Sequence, residues 1–202
     1  MEEVFEDEAS FPKTSGDVKP ESAMVITDPY TGEVKGIVGG RGKKSGSMVL
    51  NRATQSPRQP GSSIKPLSVY APAVDMGKIT EVDTVTDEEI TIGNDKGKPK
   101  NSYNDFLGDM TIKEAVARSA NIPAVKVLDM VNLTNSFNYL QNKFHITTLE
   151  EKDKNYSSLA LGGLTQGVTV EEMAGAYCTF VKSGKYIKPY TYTRVLDSTG
   201  QV

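Results

Sequence analysis

The stretch Arg58-Gln59-Pro60-Gly61-Ser62-Ser63-Ile64-Lys65-Pro66 reads as a tight turn that runs directly into a helix. Pro60 fixes the approach, and Gly61 supplies a backbone free of Cβ restrictions. With a helix starting at Ser62, residues 63–66 form its first turn. Their N–H groups have no partner inside the helix, so Pro66 removes a donor that would be orphaned anyway. Ser62 and Lys65 are three apart and share one helical face. A hydroxyl at a helix start with an amine one turn away suits nucleophile activation. A neutral lysine takes the proton, and the helix dipole favours the alkoxide. The same four-residue pattern also describes a serine cap followed by a solvated lysine, and Ser10-Phe11-Pro12-Lys13 repeats it in a stretch without periodicity.

Composition narrows the chemistry. The chain has 202 residues, 37% hydrophobic and 24% charged, with one histidine (His145) and one cysteine (Cys178). A lone Cys excludes a disulfide framework and a Cys-rich metal site, and a lone His excludes a multi-His metal centre. Acyl-transfer or hydrolytic chemistry here would lean on lysine as its base, and no cofactor or metal is implied. No apolar run approaches membrane-spanning length, and no signal peptide opens the chain. The net charge of −3 is uneven, with five acids in residues 1–8 and seven bases but no acid between Glu33 and Asp75. Such a basic run suits an anionic ligand, but its loop lacks aromatic residues for stacking on single-stranded nucleic acid.

In chain order, residues 1–20 read as an acidic, flexible linker or lead-in and 21–202 as one domain. Residues 22–27 and 33–38 form a β-hairpin across Asp28-Pro29-Tyr30-Thr31-Gly32. Residues 43–60 are a basic loop leading to Ser62. Pro72 is expected to kink the Ser62 helix or end it early. A short strand is expected at 89–92, followed by a turn. Thr111 caps a helix through a capping box with Glu114, stopping near Ser119-Ala120-Asn121. Helices follow from about Pro123 and from about Thr134 to Phe144. Leu159-Ala160-Leu161-Gly162-Gly163 reads as a glycine-hinged connector. Thr169-Val170-Glu171-Glu172 opens a helix that ends at Ser183-Gly184, and 190–196 reads as a strand.

Several of these runs, in this order, resemble the transpeptidase domain of bifunctional, class A penicillin-binding proteins. They are Asp28 to Val34 with Gly39-Gly40, Asn51 to Pro66, Ala117 to Val125, and Leu159 to Gly163 leading to Glu172-Met173-Ala174 and Tyr177. The resemblance covers nearly all of residues 21–202. It implies an α+β, β-lactamase/transpeptidase-like fold of penicillin-recognising serine enzymes, with an N-terminal hairpin and a mostly helical remainder. That family works through Ser-x-x-Lys, Ser-x-Asn and Lys-Thr-Gly. Carried over, Ser62 is the acylated nucleophile and Lys65 its proton acceptor. Ser119 relays a proton, and Asn121 holds the substrate's peptide carbonyl. The Ser62 backbone N–H would serve as one oxyanion donor. Ser102-Tyr103-Asn104 and Ser136-Phe137-Asn138 compete for the second motif, but family flanks and the helix junction favour Ser119–Asn121. No Lys-Thr-Gly is present. Lys44-Ser45-Gly46 comes too early and Lys182-Ser183-Gly184 ends a helix, so the third motif is expected beyond Val202, leaving the domain partial and this chain with little turnover alone.

The implied reaction is peptidoglycan cross-linking by D,D-transpeptidase acyl transfer. Its partners would be D-Ala-D-Ala stem peptides and β-lactam antibiotics, with no nucleic acid. The parent protein would be anchored at the outer face of the bacterial cytoplasmic membrane, with a glycosyltransferase domain upstream. Two alternatives share the fold: a β-lactamase or penicillin-sensing receptor domain, and a non-catalytic cell-wall binding module. A third, from another class, is an anion-binding basic loop over residues 34–74, marked by salt-dependent binding.

Overall fold

The computed structural model describes residues 1–91 and 99–202, and they divide into two units. One comprises Met1–Arg58 with Val168–Val202, and the other comprises Gln59–Gly167.

In the first unit, β1 (Met24–Thr27) pairs antiparallel with β2 (Val34–Val38), with Met24 opposite Val38 and Val25 opposite Ile37. Asp28 builds the turn between them. Its Oδ1 accepts the N–H groups of Tyr30 and Thr31, and Gly32 follows at φ 82°. The helix α8 (Val170–Val181) packs on β1. Thr169 closes a full capping box, accepting from the Glu172 N–H while the Glu172 carboxylate accepts from the Thr169 N–H. Three segments differ from expectation. A short helix α2 (Arg52–Gln55), capped by Asn51, interrupts the expected loop at 43–60. Ahead of the hairpin, α1 (Glu2–Glu6) buries Phe5, whose ring meets Phe11 edge-on at 6.1 Å. No strand forms at 190–196; Tyr190 alone bridges Glu33. Tyr192, Val195 and Leu196 are exposed, so this β-prone run has no apolar surface to pack against.

The second unit is built around α5 (Asn121–Val131). It buries Ile122, Pro123, Ala124, Val125, Val127, Leu128 and Val131, apolar on most of its circumference, as a central helix must be. Around it pack a helical run α3 (61–75), α4 (Ile112–Ala117), α6 (Leu133–Asn142) and α7 (Tyr156–Leu161). A two-stranded ladder also belongs to this unit, with β3 (Thr84–Asp87) antiparallel to β4 (Gly108–Thr111). The strand expected at 89–92 is displaced: the pairing ends at Asp87, residues 89–91 lie outside any strand, and Ile92 with the turn Gly93–Lys96 lies outside the described residues. Leu159–Gly163 is no connector. Asn155 accepts the Ser158 N–H and starts α7, which Gly162 ends at φ 79°.

The helix α3 changes pitch twice, from 3-10 over Gly61–Ile64 to π over Pro66–Tyr70 to α over Ala71–Asp75. The Ala71 N–H reaches back five residues to the Pro66 carbonyl. Pro72 does not end the helix. An α-helix would satisfy the Ser68 carbonyl with the N–H of residue 72, and proline has none. The Ser136 hydroxyl donates to that carbonyl instead, at 2.6 Å. Ser136 is fully buried, so the rival motif Ser136-Phe137-Asn138 is structural. Ser68 adds a tie to α7, its Oγ lying 2.5 Å from the Leu159 carbonyl and 3.0 Å from that of Ile64. Replacing Ser136→Ala strands the Ser68 carbonyl in the core. Urea denaturation of the variant should show a loss of about 1–3 kcal/mol.

Candidate active site

Four residues singled out by the sequence lie in the second unit, and three of them meet. Lys65 is 2% exposed. Its Nζ donates to the Ser119 carbonyl at 2.6 Å, to Ser119 Oγ at 3.2 Å and to Asn121 Oδ1 at 2.6 Å. These acceptors match the three hydrogens of an ammonium group. Among the described residues no carboxylate forms an ion pair with it, and burial lowers its pKa to about 8. At that value about a tenth of the amine is neutral at pH 7, several hundredfold more than for an exposed lysine. Once neutral, the amine keeps two hydrogens for the carbonyl acceptors and frees a lone pair to take a proton.

Ser62 is exposed, in the 3-10 turn one step before Lys65. The Lys65 N–H donates to the Ser62 carbonyl. In 3-10 geometry, positions three apart eclipse one another, placing both side chains on one edge more squarely than the expected α-turn. Gly162 packs against this turn. A Cβ on it would lie 2.1 Å from the Gly61 carbonyl oxygen and 2.5 Å from Gly61 N. The glycine thus lets the end of α7 press directly on the backbone preceding Ser62. Sequence reading took Gly162 for a hinge; an apolar run ending in two glycines marks a helix stop equally well.

The helix stop at Ser119 has a definite geometry. The Ala120 N–H bonds to the Ala115 carbonyl and the Ser119 N–H to the Val116 carbonyl, both at 3.0 Å. This is a Schellman motif, with Ser119 in the left-handed position, φ 52°, that glycine usually fills. A serine there carries roughly 1–2 kcal/mol of backbone strain. In return, its carbonyl and hydroxyl both reach Lys65. The expected capping box at the other end of α4 is half formed. Thr111 accepts the Glu114 N–H, but the Glu114 carboxylate turns to Arg118 at 2.9 Å.

Asn121 opens α5. Its Nδ2 donates to the Lys100 carbonyl at 2.7 Å, and its N–H to Asn101 Oδ1 at 3.0 Å. Sequence reading passed over Asn101, while weighing the adjacent Ser102-Tyr103-Asn104 only as a rival motif. Ser102 is exposed and bonds to none of Ser62, Lys65, Ser119 and Asn121.

Residues 22–201 match the family described as the penicillin binding protein transpeptidase domain. This chain belongs to that family. The transpeptidase-family chain is 37% identical to penicillin-binding protein 1A of Clostridium acetobutylicum over 96% of its own length and 25% of the relative's. It is 33% identical to penicillin-binding protein 1F of Bacillus subtilis, over 98% of the chain and 26% of the relative. The crystal structure of penicillin-binding protein 1A from Haemophilus influenzae superposes with a TM-score of 0.76 at 28% identity, covering 92% of this chain and 27% of that one. The PonA1 protein from Mycobacterium tuberculosis, solved in complex with penicillin V, gives 0.74 at 26% identity, over 90% of this chain and 49% of that one. The transpeptidase-family chain therefore spans about a quarter of the length of the curated relatives it matches. Its fold is the penicillin-recognising α+β fold of these neighbours. Among the described residues no helix is long and apolar enough to cross a membrane.

Because Ser119 sits where glycine is the relaxed choice, Ser119→Gly should separate stability from chemistry. Relief of about 1–2 kcal/mol of strain is opposed by glycine's chain entropy and by the hydrogen of buried Lys65 that loses the Ser119 hydroxyl as acceptor. Urea titration is therefore expected to show stability within about 1 kcal/mol of wild type. Covalent labelling by penicillin should slow in the same variant.

Proposed function

We propose that this chain carries the nucleophile and general base of a serine D,D-transpeptidase that cross-links peptidoglycan stem peptides. The observation that carries the proposal is Lys65: a buried amine, held by Ser119 and Asn121 without a carboxylate, one 3-10 step from an exposed serine. A surface ion pair would raise the lysine pKa, whereas burial among neutral acceptors lowers it into the working range of a base.

In the first half-reaction, neutral Lys65 takes the Ser62 hydroxyl proton as Oγ attacks the carbonyl carbon of the penultimate D-Ala. The Ser62 N–H, directed outward at a helix start, donates to the developing oxyanion. As the tetrahedral intermediate collapses, the C–N bond breaks, and the departing D-Ala amine receives the proton through Ser119 Oγ. In the second half-reaction the amine of another stem peptide attacks the acyl ester. It returns a proton along the same route and frees Ser62. Asn121 holds the Lys65 amine through Oδ1. One Nδ2 hydrogen is spent on the Lys100 carbonyl, and the other serves the substrate's peptide carbonyl. A β-lactam enters as a mimic of the terminal dipeptide and stays on Ser62. The family membership supports this reading, and the intact protein would act at the outer face of the bacterial cytoplasmic membrane beside a glycosyltransferase activity.

Fluorescent penicillin incubated with the intact protein and with Ser62→Ala tests the assignment. A stable label that disappears in the variant is expected. Rapid loss of label would mark a β-lactamase, and a folded wild-type protein that takes no label would overturn both enzymatic readings.

The pH dependence has a definite sign. Lys65 acts as base only when neutral, so the second-order acylation rate should climb close to tenfold per unit well below its pKa of about 8 and level off above it. Stopped-flow rates between pH 6 and 9 check this, and a rate falling with pH would remove Lys65 from the role.

A further inference from the structure

Asp87 is the last residue of β3 and is fully buried. Its Oδ1 accepts from Asn101 Nδ2 at 2.8 Å, and its Oδ2 accepts from the Tyr103 hydroxyl at 2.7 Å and the Leu107 N–H at 3.1 Å. An ionised carboxylate can only accept, so the Asn101 amide must turn its NH2 group toward it. Asn101 Oδ1 is then forced to face the other way. There it accepts the first two N–H groups of α5, from Asn121 at 3.0 Å and Ile122 at 3.3 Å. The residue preceding α5 is Ala120, which has no side chain able to cap a helix and makes no such bond. Asn101 supplies that cap from a distant loop.

The same logic passes one step further. The Lys100 carbonyl, beside Asn101 in the chain, accepts from Asn121 Nδ2 at 2.7 Å. The Asn121 amide is thereby oriented with Oδ1 toward Lys65 Nζ. In the opposite orientation an NH2 group would face an amine. The Lys100 carbonyl turns the Asn121 amide by itself, and Asp87, holding the Asn101 side chain, the Tyr103 hydroxyl and the Leu107 N–H, anchors the loop that presents that carbonyl.

We propose that Asp87 and Asn101 are positioning residues for acylation: their bond holds the loop that presents the Lys100 carbonyl and caps the start of α5, and so places Asn121 and the Lys65 amine. The proposal rests on the transpeptidase reading given above. Neither residue touches the reacting atoms, so each acts through Asn121.

The pair can be tested by exchanging its polarity in the intact protein. Asn101→Ala removes the cap. Asn101→Asp alone sets two carboxylates against each other, and Asp87→Asn alone gives up the acceptor-only group. The double variant Asp87→Asn/Asn101→Asp restores one donor and one acceptor at their interface. Its new carboxamide oxygen still accepts from Tyr103 and Leu107, and its new carboxylate still accepts from the start of α5. Penicillin acylation rates should fall roughly 10- to 100-fold in Asn101→Ala and Asn101→Asp and return to within about threefold of wild type in the double variant. Amide hydrogen exchange at Asn121 and Ile122 should quicken in Asn101→Ala and slow again in the double variant. Asn101→Ala acylating at the wild-type rate overturns the proposal. So does a double variant that stays as slow as Asn101→Ala or melts as early as the single variants. If wild-type protein takes no penicillin, the transpeptidase reading fails by itself, while the exchange rates still decide whether Asn101 holds the start of α5.

Discussion

The second unit depends on one buried charge-bearing group, the Lys65 amine, which is kept out of water without a carboxylate to neutralise it. Moving an ammonium group into a protein interior costs several kcal/mol unless its hydrogens are all accepted. Here the acceptors are two carbonyl oxygens and a hydroxyl, all from residues 119–121. That supply requires a chain break between α4 and α5 at one spot, a left-handed Ser119 to turn its carbonyl inward, and an Asn121 amide held in one orientation. A carboxylate in the same place would bind the ammonium more tightly and raise its pKa. The arrangement gives up stability and leaves part of the amine neutral near pH 7.

The helix that carries Ser62 obeys a related constraint. A regular α-helix over residues 61–75 would leave the Ser68 carbonyl without a donor at Pro72 and would separate Ser62 from Lys65 by the usual 100° steps. The 3-10 opening brings the two side chains onto one edge, and the π segment absorbs the residue that the tighter start displaced. Ser136 and Gly162 make this irregular helix tolerable, one by replacing a missing N–H, the other by letting α7 touch the Gly61 backbone. Both lie far from Ser62 in sequence, and Ser136 fits Ser-x-Asn by spacing while serving only the fold.

Much of the fold was legible in residue order. The hairpin, the caps at Thr111 and Thr169, and the helices after residues 111, 121, 133 and 169 follow from turn chemistry and 3.6-residue periodicity, which act within a few positions. Misreadings arose where long-range packing decides. Residues 190–196 have strand composition but no face to pack on. Residues 159–163 read as a connector, because a helix of six residues, Tyr156–Leu161, shows too little periodicity beside two glycines. Asp87 and Asn101 drew no notice, and Ser136 drew it only as a rival motif, since a buried polar side chain reveals its role only through its partners.

What the sequence determined by itself was local: a turn breaking into a helix at Gly61–Ser62, a lysine three residues on, and a helix junction at Ser119–Asn121, each written in the backbone preferences of a few neighbouring residues. Family order along the chain then tied those pieces together. Tertiary structure alone decided that the Lys65 amine is dry, that its three acceptors come from one junction 54 to 56 residues away, and that Asp87 and Asn101 stand behind them. Burial and hydrogen-bond direction depend on where distant segments meet, and no local preference encodes that meeting.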